Sequence, residues 1–282
     1  MLERFVVIGA GTMGAGIAYV AAGAGYVVSL VEPDPDRGPA AVAGLRDLWA
    51  KAVTRGKLSQ LEADGAAGRL HLVRSLDEVA PDPSVIVEAV PERLELKRSV
   101  LAAAAALKPA LLATNTSSIA ISSLAEGLPD PSVLCGLHFF NPVFAMPLLE
   151  IVLADDTSAD ARERALIVAD RLGKDPVVVR DMPGFATSRL GVMLGLEAIR
   201  MLEDGVASAA DIDKAMKLGY KHPMGPLELT DVVGLDVRLD IARTLQAAYG
   251  DRFAPPQLLI DMVAAGKLGK KTGEGFHTWP AS

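Results

Sequence analysis

The apolar positions fall first into short continuous runs. Phe5-Val6-Val7-Ile8, within residues 4–8, is apolar at every position and too short for a helix, which marks a strand buried on both faces. A glycine-rich interruption follows at 9–14. Residues 15–24 are small and helix-compatible, and 26–31 (Tyr-Val-Val-Ser-Leu-Val) predict a second buried strand. From Pro39 to about Ala67 the spacing turns helical through Leu45, Leu48, Val53, Leu58 and Leu61. Gly56 breaks that pattern and Ser59 recaps it, so a helical hairpin is expected as an insertion in a sheet domain. Short strands recur at 71–73, 85–87, 111–113, 133–137, 149–153 and 176–179, with helices such as 92–107 and 159–172 between them. Alternation of this kind predicts an α/β domain with a mainly parallel sheet covered on both faces.

At Asp181-Met182-Pro183-Gly184 a breaker cluster ends the alternation. Beyond it the periodicity is helical only, at 190–202, 209–217 and 231–248, the last broken near Gly234. A sheet domain over 1–181 and an all-α domain over 182–282 are therefore expected, which suits a chain of 282 residues.

Composition narrows the partners. The chain carries 28 basic and 35 acidic residues, a net charge of -7, and no Lys/Arg block, which speaks against a nucleic-acid partner. An anionic substrate would need a local basic patch. The single cysteine, Cys135, permits no intrachain disulfide and reads as a small buried hydrophobe in a reducing compartment. Strand-like residues begin at Phe5 and every long apolar stretch is broken by charge or glycine, so neither a signal peptide nor a membrane span is expected, and the expected location is cytoplasmic. No metal site is expected.

Gly9-Ala10-Gly11-Thr12-Met13-Gly14 has the G-x-G-x-x-G spacing. It follows a buried strand, opens a helix and precedes a second strand, the context in which this motif binds a dinucleotide. Gly9 permits the tight turn, Gly11 lets the backbone approach a pyrophosphate, and Gly14 lets helix and strand pack closely. The helix N-terminus adds partial positive charge and unsatisfied N–H groups. Glu32 ends the second strand, where a carboxylate accepts from both ribose hydroxyls of NAD and repels the 2′-phosphate of NADP. Arg37 reads as a solvated residue at a helix start.

Gly136-Leu137-His138-Phe139-Phe140-Asn141-Pro142 lies at a strand end on the ligand-binding side of an α/β sheet. Glu150 starts the next strand, and a hairpin-like return would bring its carboxylate to the His138 imidazole as an acid–base pair. His71, His222 and His277 carry no comparable context.

These segments resemble the L-3-hydroxyacyl-CoA dehydrogenases, most closely the bacterial 3-hydroxybutyryl-CoA type, over nearly the whole chain. The marks are GAGTMGAGIA at 9–18, NTSS at 115–118, GLHFFNPV at 136–143, PGF at 183–185, DIDKAMKLG at 211–219, HPMGPLEL at 222–229 and GKKTGEGF at 269–276. The resemblance implies a Rossmann-type domain followed by a helical substrate and dimerisation domain, with the active site in the cleft between them. It implies NAD as cofactor, an acyl-CoA substrate and a homodimer in fatty-acid metabolism. It makes His138 the catalytic histidine, Glu150 its orienting carboxylate, and Ser117 the serine near the reacting hydroxyl and the nicotinamide. Glu92, Lys97, Asn141 and Lys271 match positions that contact NAD, although Lys97 and Lys271 on sequence alone read as surface lysines. The helical hairpin matches the region that holds CoA, with Arg55 near a basic contact and Leu48 replacing a polar one. One departure stands out. The family reads Pro-Gly-Phe-x-x-Asn-Arg, and Ser188 takes the place of that active-site asparagine, which leaves the exact substrate open. Two alternatives share parts of this pattern. A dehydrogenase of free hydroxy or sugar acids is opposed by the HPMGP segment and the hairpin. A non-catalytic NAD-binding scaffold is opposed by His138, Glu150 and Ser117 occurring together.

Overall fold

The first apolar run forms the central strand β1 (Arg4–Ile8), with β2 (Val27–Val31) parallel on one side and β4 (Val85–Glu88) parallel on the other. In the computed structural model, which describes residues 3–280, β3 (Leu70–Val73), β5 (Leu112–Thr114), β6 (Leu134–Phe139), β7 (Leu148–Leu153) and β8 (Asp175–Arg180) complete one sheet. Its order is β3-β2-β1-β4-β5-β6-β7-β8, and every neighbouring pair is parallel except β6–β7. The strand order therefore reverses between β1 and β4, which opens a crevice at the carboxyl ends of these strands.

Two compact units make up the chain, Met1–Asp181 and Met182–Ser282. In the first, helices α1 (Thr12–Gly23), α2 (Arg37–Thr54), α3 (Gln60–Gly68), α4 (Leu94–Ala105), α5 (Ile121–Ala125) and α6 (Ala159–Arg171) accompany the sheet. Its core is β-branched and aliphatic, with Phe5 and Tyr26 meeting edge-to-face at 5.2 Å. The hairpin of α2 and α3 turns at Gly56, where φ is +67°, and restarts at a capping box between Ser59 and Glu62. The second unit packs α7 (Thr187–Glu203), α8 (Ala209–Gly219), α9 (Pro226–Val233), α10 (Leu235–Tyr249) and α11 (Gln257–Ala264) around Val192, Leu196, Leu239, Leu245 and Phe253.

Among the boundaries that differ from the sequence pattern, two bear on the site. Helix α1 begins at Thr12 rather than at residue 15, because two of the motif glycines belong to the turn and Gly14 already lies in the helix. Helix α4 begins at Leu94 rather than Glu92, so Glu92 lies in the loop before the helix, where its carboxylate serves the neighbouring strand end.

Candidate active site

The first strand–helix turn is tight for identifiable reasons. Gly9 sits at φ +100°, and a Cβ there would come within 2.9 Å of the Ala89 carbonyl oxygen. A Cβ on Gly14 would lie 1.8 Å from the Gly9 oxygen, so only glycine lets α1 pack this close to β1. Gly11 differs from both. A Cβ there would meet nothing within 4 Å, and α1 has no side-chain cap. Its first-turn amides, which lack intrahelical acceptors, border a crevice of about 900 Å³ lined by Gly9, Gly11, Thr12, Met13 and Glu32.

Glu32, only 4 % exposed, is held by two backbone donors: Ala10 N–H reaches Oε2 at 2.9 Å and Asp34 N–H reaches Oε1 at 3.1 Å. Arg37 is exposed, with its guanidinium 3.6 Å from Glu32 and 3.5 Å from Asp34. Placed on one wall of the crevice, Glu32 presents a fixed anion there.

At the ends of β4 and β5 the polar groups form a closed network. Lys97, read as a surface lysine from sequence alone, is 1 % exposed. Its ammonium donates to both Glu88 oxygens at 2.8 and 3.1 Å and to the Val90 carbonyl at 3.2 Å, and it lies 3.3 Å from Glu92 Oε2. Glu88 also accepts from Thr114 Oγ1 at 2.7 Å and Val90 N–H at 2.6 Å. Glu92 Oε1 accepts from Thr116 Oγ1 at 2.6 Å, Ser117 N–H at 3.0 Å and Ser118 N–H at 3.1 Å. Burial works to raise the Glu92 pKa, but the Lys97 ammonium and these donated bonds outweigh it, so the carboxyl titrates below its ordinary value. Ser117 is thus fastened through Glu92, and Asn115 Oδ1 accepts from Phe139 N–H at 2.9 Å, tying the same loop to β6 beside His138.

The chain does return after β6 to bring Glu150 to His138. The two residues are direct partners in the antiparallel β6–β7 register, and His138 Nδ1 lies 2.7 Å from Glu150 Oε2. Glu150 is fully buried and His138 is 7 % exposed. Because β6 runs parallel to β5, His138 lies toward the carboxyl ends of the parallel strands, the side that also carries Glu88 and the glycine turn. Asn141 is exposed in the loop that follows. Buried Lys174 braces that loop, donating to the carbonyls of Val143 and Met146.

A second cavity, of about 610 Å³, opens beside the hairpin. Tyr19 stacks on Trp49 at 5.1 Å and meets Phe144 edge-on at 5.8 Å, and these three rings form an apolar wall. Lys51, Arg55 and Lys57 border the same cavity and are exposed, which makes it the local basic patch that an acidic protein needs for an anionic ligand.

In the helical unit, Ser188 occupies the first turn of α7 and is half-buried. Lys271 pairs with Asp236 at 2.6 Å. His277 Nε2 lies 2.7 Å from Asp213, whose carboxylate also accepts from the Leu227 and Glu228 amides and so caps α9, a structural arrangement. Cys135 is fully buried, with burial pushing its thiol pKa up to about 12. Among the described residues, no cluster of three or more His, Cys, Asp or Glu could hold a metal ion, and no helix is long and apolar enough to cross a membrane.

Sequence reading missed three groups: Glu88, Lys174 and Arg238. Glu88 ends an apolar strand, which is a detectable signal. The other two carry none locally.

A family model described as the NAD-binding domain of 3-hydroxyacyl-CoA dehydrogenase matches residues 4–182, and one described as the C-terminal domain of the same enzyme matches 184–279. The chain is 40% identical over 284 residues to a 3-hydroxybutyryl-CoA dehydrogenase of Mycobacterium tuberculosis, covering 99% of each. It is 38% identical over 284 residues to a 3-hydroxyadipyl-CoA dehydrogenase of Escherichia coli, covering 99% of this chain and 60% of that one. The crystal structure of (S)-3-hydroxybutyryl-CoA dehydrogenase from Ralstonia eutropha matches with a TM-score of 0.95 at 33% identity, over 100% of both chains.

Proposed function

The chain belongs to the 3-hydroxyacyl-CoA dehydrogenase family, and on that premise we propose how its residues divide the work of the reaction. It is an NAD-dependent oxidoreductase that interconverts 3-hydroxyacyl-CoA and 3-ketoacyl-CoA. NAD, when bound, accepts or returns the hydride at carbon 3.

The open position at Gly11 and the uncapped α1 fit a pyrophosphate, with Gly9, Ala10, Gly11, Thr12, Met13 and Gly14 forming the cradle. Glu32 receives the adenosine ribose hydroxyls and disfavours a 2′-phosphate. Glu92, Asn141 and Lys271 serve the nicotinamide half. Lys97 serves it through Glu92, because its ammonium is already engaged by two carboxylates.

His138 is the acid–base group, and its 2.7 Å bond to Glu150 is the observation that carries this reading. With Nδ1 held by Glu150, Nε2 exchanges the proton of the substrate hydroxyl. In the oxidative direction Nε2 takes that proton. In the reductive direction the imidazolium returns it to the developing alkoxide, and the Glu150 carboxylate stabilises the imidazolium throughout. Ser117 donates to the reacting oxygen, and Ser188 contributes a shorter hydrogen-bonding group than asparagine. Arg55, with Lys51 and Lys57, receives the phosphates of CoA, and the Tyr19–Trp49–Phe144 wall takes its adenine.

The acyl group is short, in keeping with the hydroxybutyryl and hydroxyadipyl groups in the relatives' names. The protein is a homodimer through its helical unit, whose exposed Leu190, Val206, Leu218 and Tyr220 offer apolar surface. Its compartment is the cytoplasm, a reading supported by one deeply buried thiol. The test is NADH oxidation with acetoacetyl-CoA against free acetoacetate, together with light scattering for the dimer. Turnover confined to the thioester is expected, and equal use of the free acid would overturn the substrate assignment.

A further inference from the structure

Lys174 is 8 % exposed, and its ammonium is directed at one short stretch of chain. It donates to the Met146 carbonyl at 2.7 Å and to the Val143 carbonyl. Burial lowers its pKa, and among the described residues no carboxylate opposes that shift. A buried cation whose partners are two carbonyls of the same turn is costly unless that turn keeps its shape.

That turn, 142–146, lies in the connection between β6 and β7, and so between the two members of the dyad, His138 and Glu150. The Ala145 and Met146 N–H groups both donate to the Pro142 carbonyl, at 2.9 and 3.0 Å, which closes the turn. Its tip, Phe144, is exposed and belongs to the wall of the cavity of about 610 Å³. Just before the turn, the Phe140 ring lies 4.5 Å from the His138 ring. Val143 is buried against Gly16 of α1, where a Cβ would stand 2.7 Å from Val143 Cγ2. Lys174 itself follows Arg171, Leu172 and Gly173, which line the same cavity. It precedes Asp175, whose N–H donates to the Pro147 carbonyl at 2.8 Å where β7 and β8 begin to pair. Its ammonium therefore ties two walls of the cavity to each other and to the base of the strand that carries Glu150, all within the sheet unit.

We propose that Lys174 is a positioning residue that couples the cavity to the dyad: by holding the 142–146 turn, it lets the cavity's grip on the nucleotide of CoA fix His138 and Glu150 for proton transfer. The inference rests on the assignment of that cavity to CoA. Contacts far from the reacting carbon raise the rate only where they are realised in the geometry of the transition state, which needs a stiff connection between the two places. An unbraced Phe144 would settle on the nucleotide without moving the strand ends behind it. With a held carbonyl on each side of Phe144 and Ala145, the ring at the cavity and the start of β7 form one piece.

The test measures kcat and KM separately for acetoacetyl-CoA and for acetoacetylpantetheine, which lacks the nucleotide, in the wild type, Lys174→Met and Lys174→Arg. NADH affinity is followed by fluorescence on the same samples. The wild type is expected to show a higher kcat with the CoA thioester by about 10- to 100-fold, the order of a misplacement of about 1 Å at the reacting atoms. Lys174→Met lowers that kcat toward the value for the pantetheine thioester, which itself changes little. Lys174→Arg, which restores the donors, recovers part of the difference, and NADH affinity is unchanged. A merely structural role would lower both kcat values alike, and that result overturns the inference. So does an effect of Lys174→Met confined to KM, or a fall in NADH affinity, which assigns the residue to the cofactor side. If Lys174→Met does not fold, Phe144→Ala at the exposed tip decides: a shrinking kcat difference supports the coupling, and a rise in KM alone overturns it. A wild type with equal kcat but different KM for the two thioesters leaves the cavity with CoA and overturns the inference alone. Equal kcat and equal KM withdraw the cavity from CoA and the inference with it.

Discussion

Lys97 and Arg238 are both buried cations, one in the sheet unit and one in the helical unit, and their surroundings are opposite. Lys97 has two carboxylates and a carbonyl around its ammonium, and the carboxylates in turn accept from Thr114, Thr116 and the Ser117 and Ser118 amides. Arg238 has no such partner among the described residues. A completed network rigidifies the strand ends it joins, whereas a buried charge left without partners is costly to the fold. The comparison teaches that burial alone does not tell a charged group that holds its surroundings together from one that costs the fold. The count of satisfied partners does.

The largest effect that sharpens this contrast is on stability. Lys97→Met leaves Glu88 and Glu92 without their cation and is expected to destabilise the fold by about 3–5 kcal/mol, since breaking a buried pair strands a charge. Chemical denaturation would show it, and a loss under about 1 kcal/mol would mean that the network is not closed as described. Arg238→Met should move stability in the other direction or not at all.

The next effect concerns the dyad. Glu150→Gln removes the charge facing His138 Nδ1 and should lower kcat by about 10- to 100-fold, the range for a hydrogen bond to a charged group. Its pH–rate profile should shift as the imidazolium loses its counter-charge. An unaltered profile would detach Glu150 from catalysis.

Cofactor choice comes after that. Glu32 is held by Ala10 and Asp34 as a fixed anion, so kcat/KM with NADH should exceed that with NADPH by at least about tenfold, and Glu32→Ala should narrow the gap. Equal use of NADPH by the wild type would redirect attention to Arg37.

The smallest expected effect is pH-dependent. The Glu92 carboxyl is held below its ordinary range, so its stabilisation is complete above the unfolded glutamate pKa and is lost as the pH falls through the lower folded value. Hydrogen exchange at the Ser117 and Ser118 amides should therefore quicken, relative to the intrinsic rate, only at pH below about 4. Loosening that begins near neutrality would contradict the assignment.

Much of this architecture is legible in the sequence because it is local. Residues 4–8 and 26–31 are apolar at nearly every position, and the glycine spacing between them has one structural solution. The Gly56 break and the Ser59 cap mark the hairpin turn for the same reason. The meeting of His138 with Glu150 is also readable, since a return between consecutive strands sets the register. The burial of Lys97 is not. Glu95, Arg98 and Ser99 beside it look like part of a solvated helix face, and only the β4–β5 pairing brings Glu88, Glu92 and Thr114 to one place. Arg238 is less visible still, because its burial depends on a glycine in a different helix.

At the centre of the account is His138 as the proton donor and acceptor for carbon-3 chemistry, and a single-turnover experiment addresses it most directly. NADH oxidation by acetoacetyl-CoA would be followed with enzyme in excess, for the wild type and His138→Gln, with NADH affinity measured on the same samples. The account predicts a chemical step slowed by about 10²- to 10⁴-fold with NADH affinity unchanged. A chemical step at the wild-type rate in His138→Gln would contradict it.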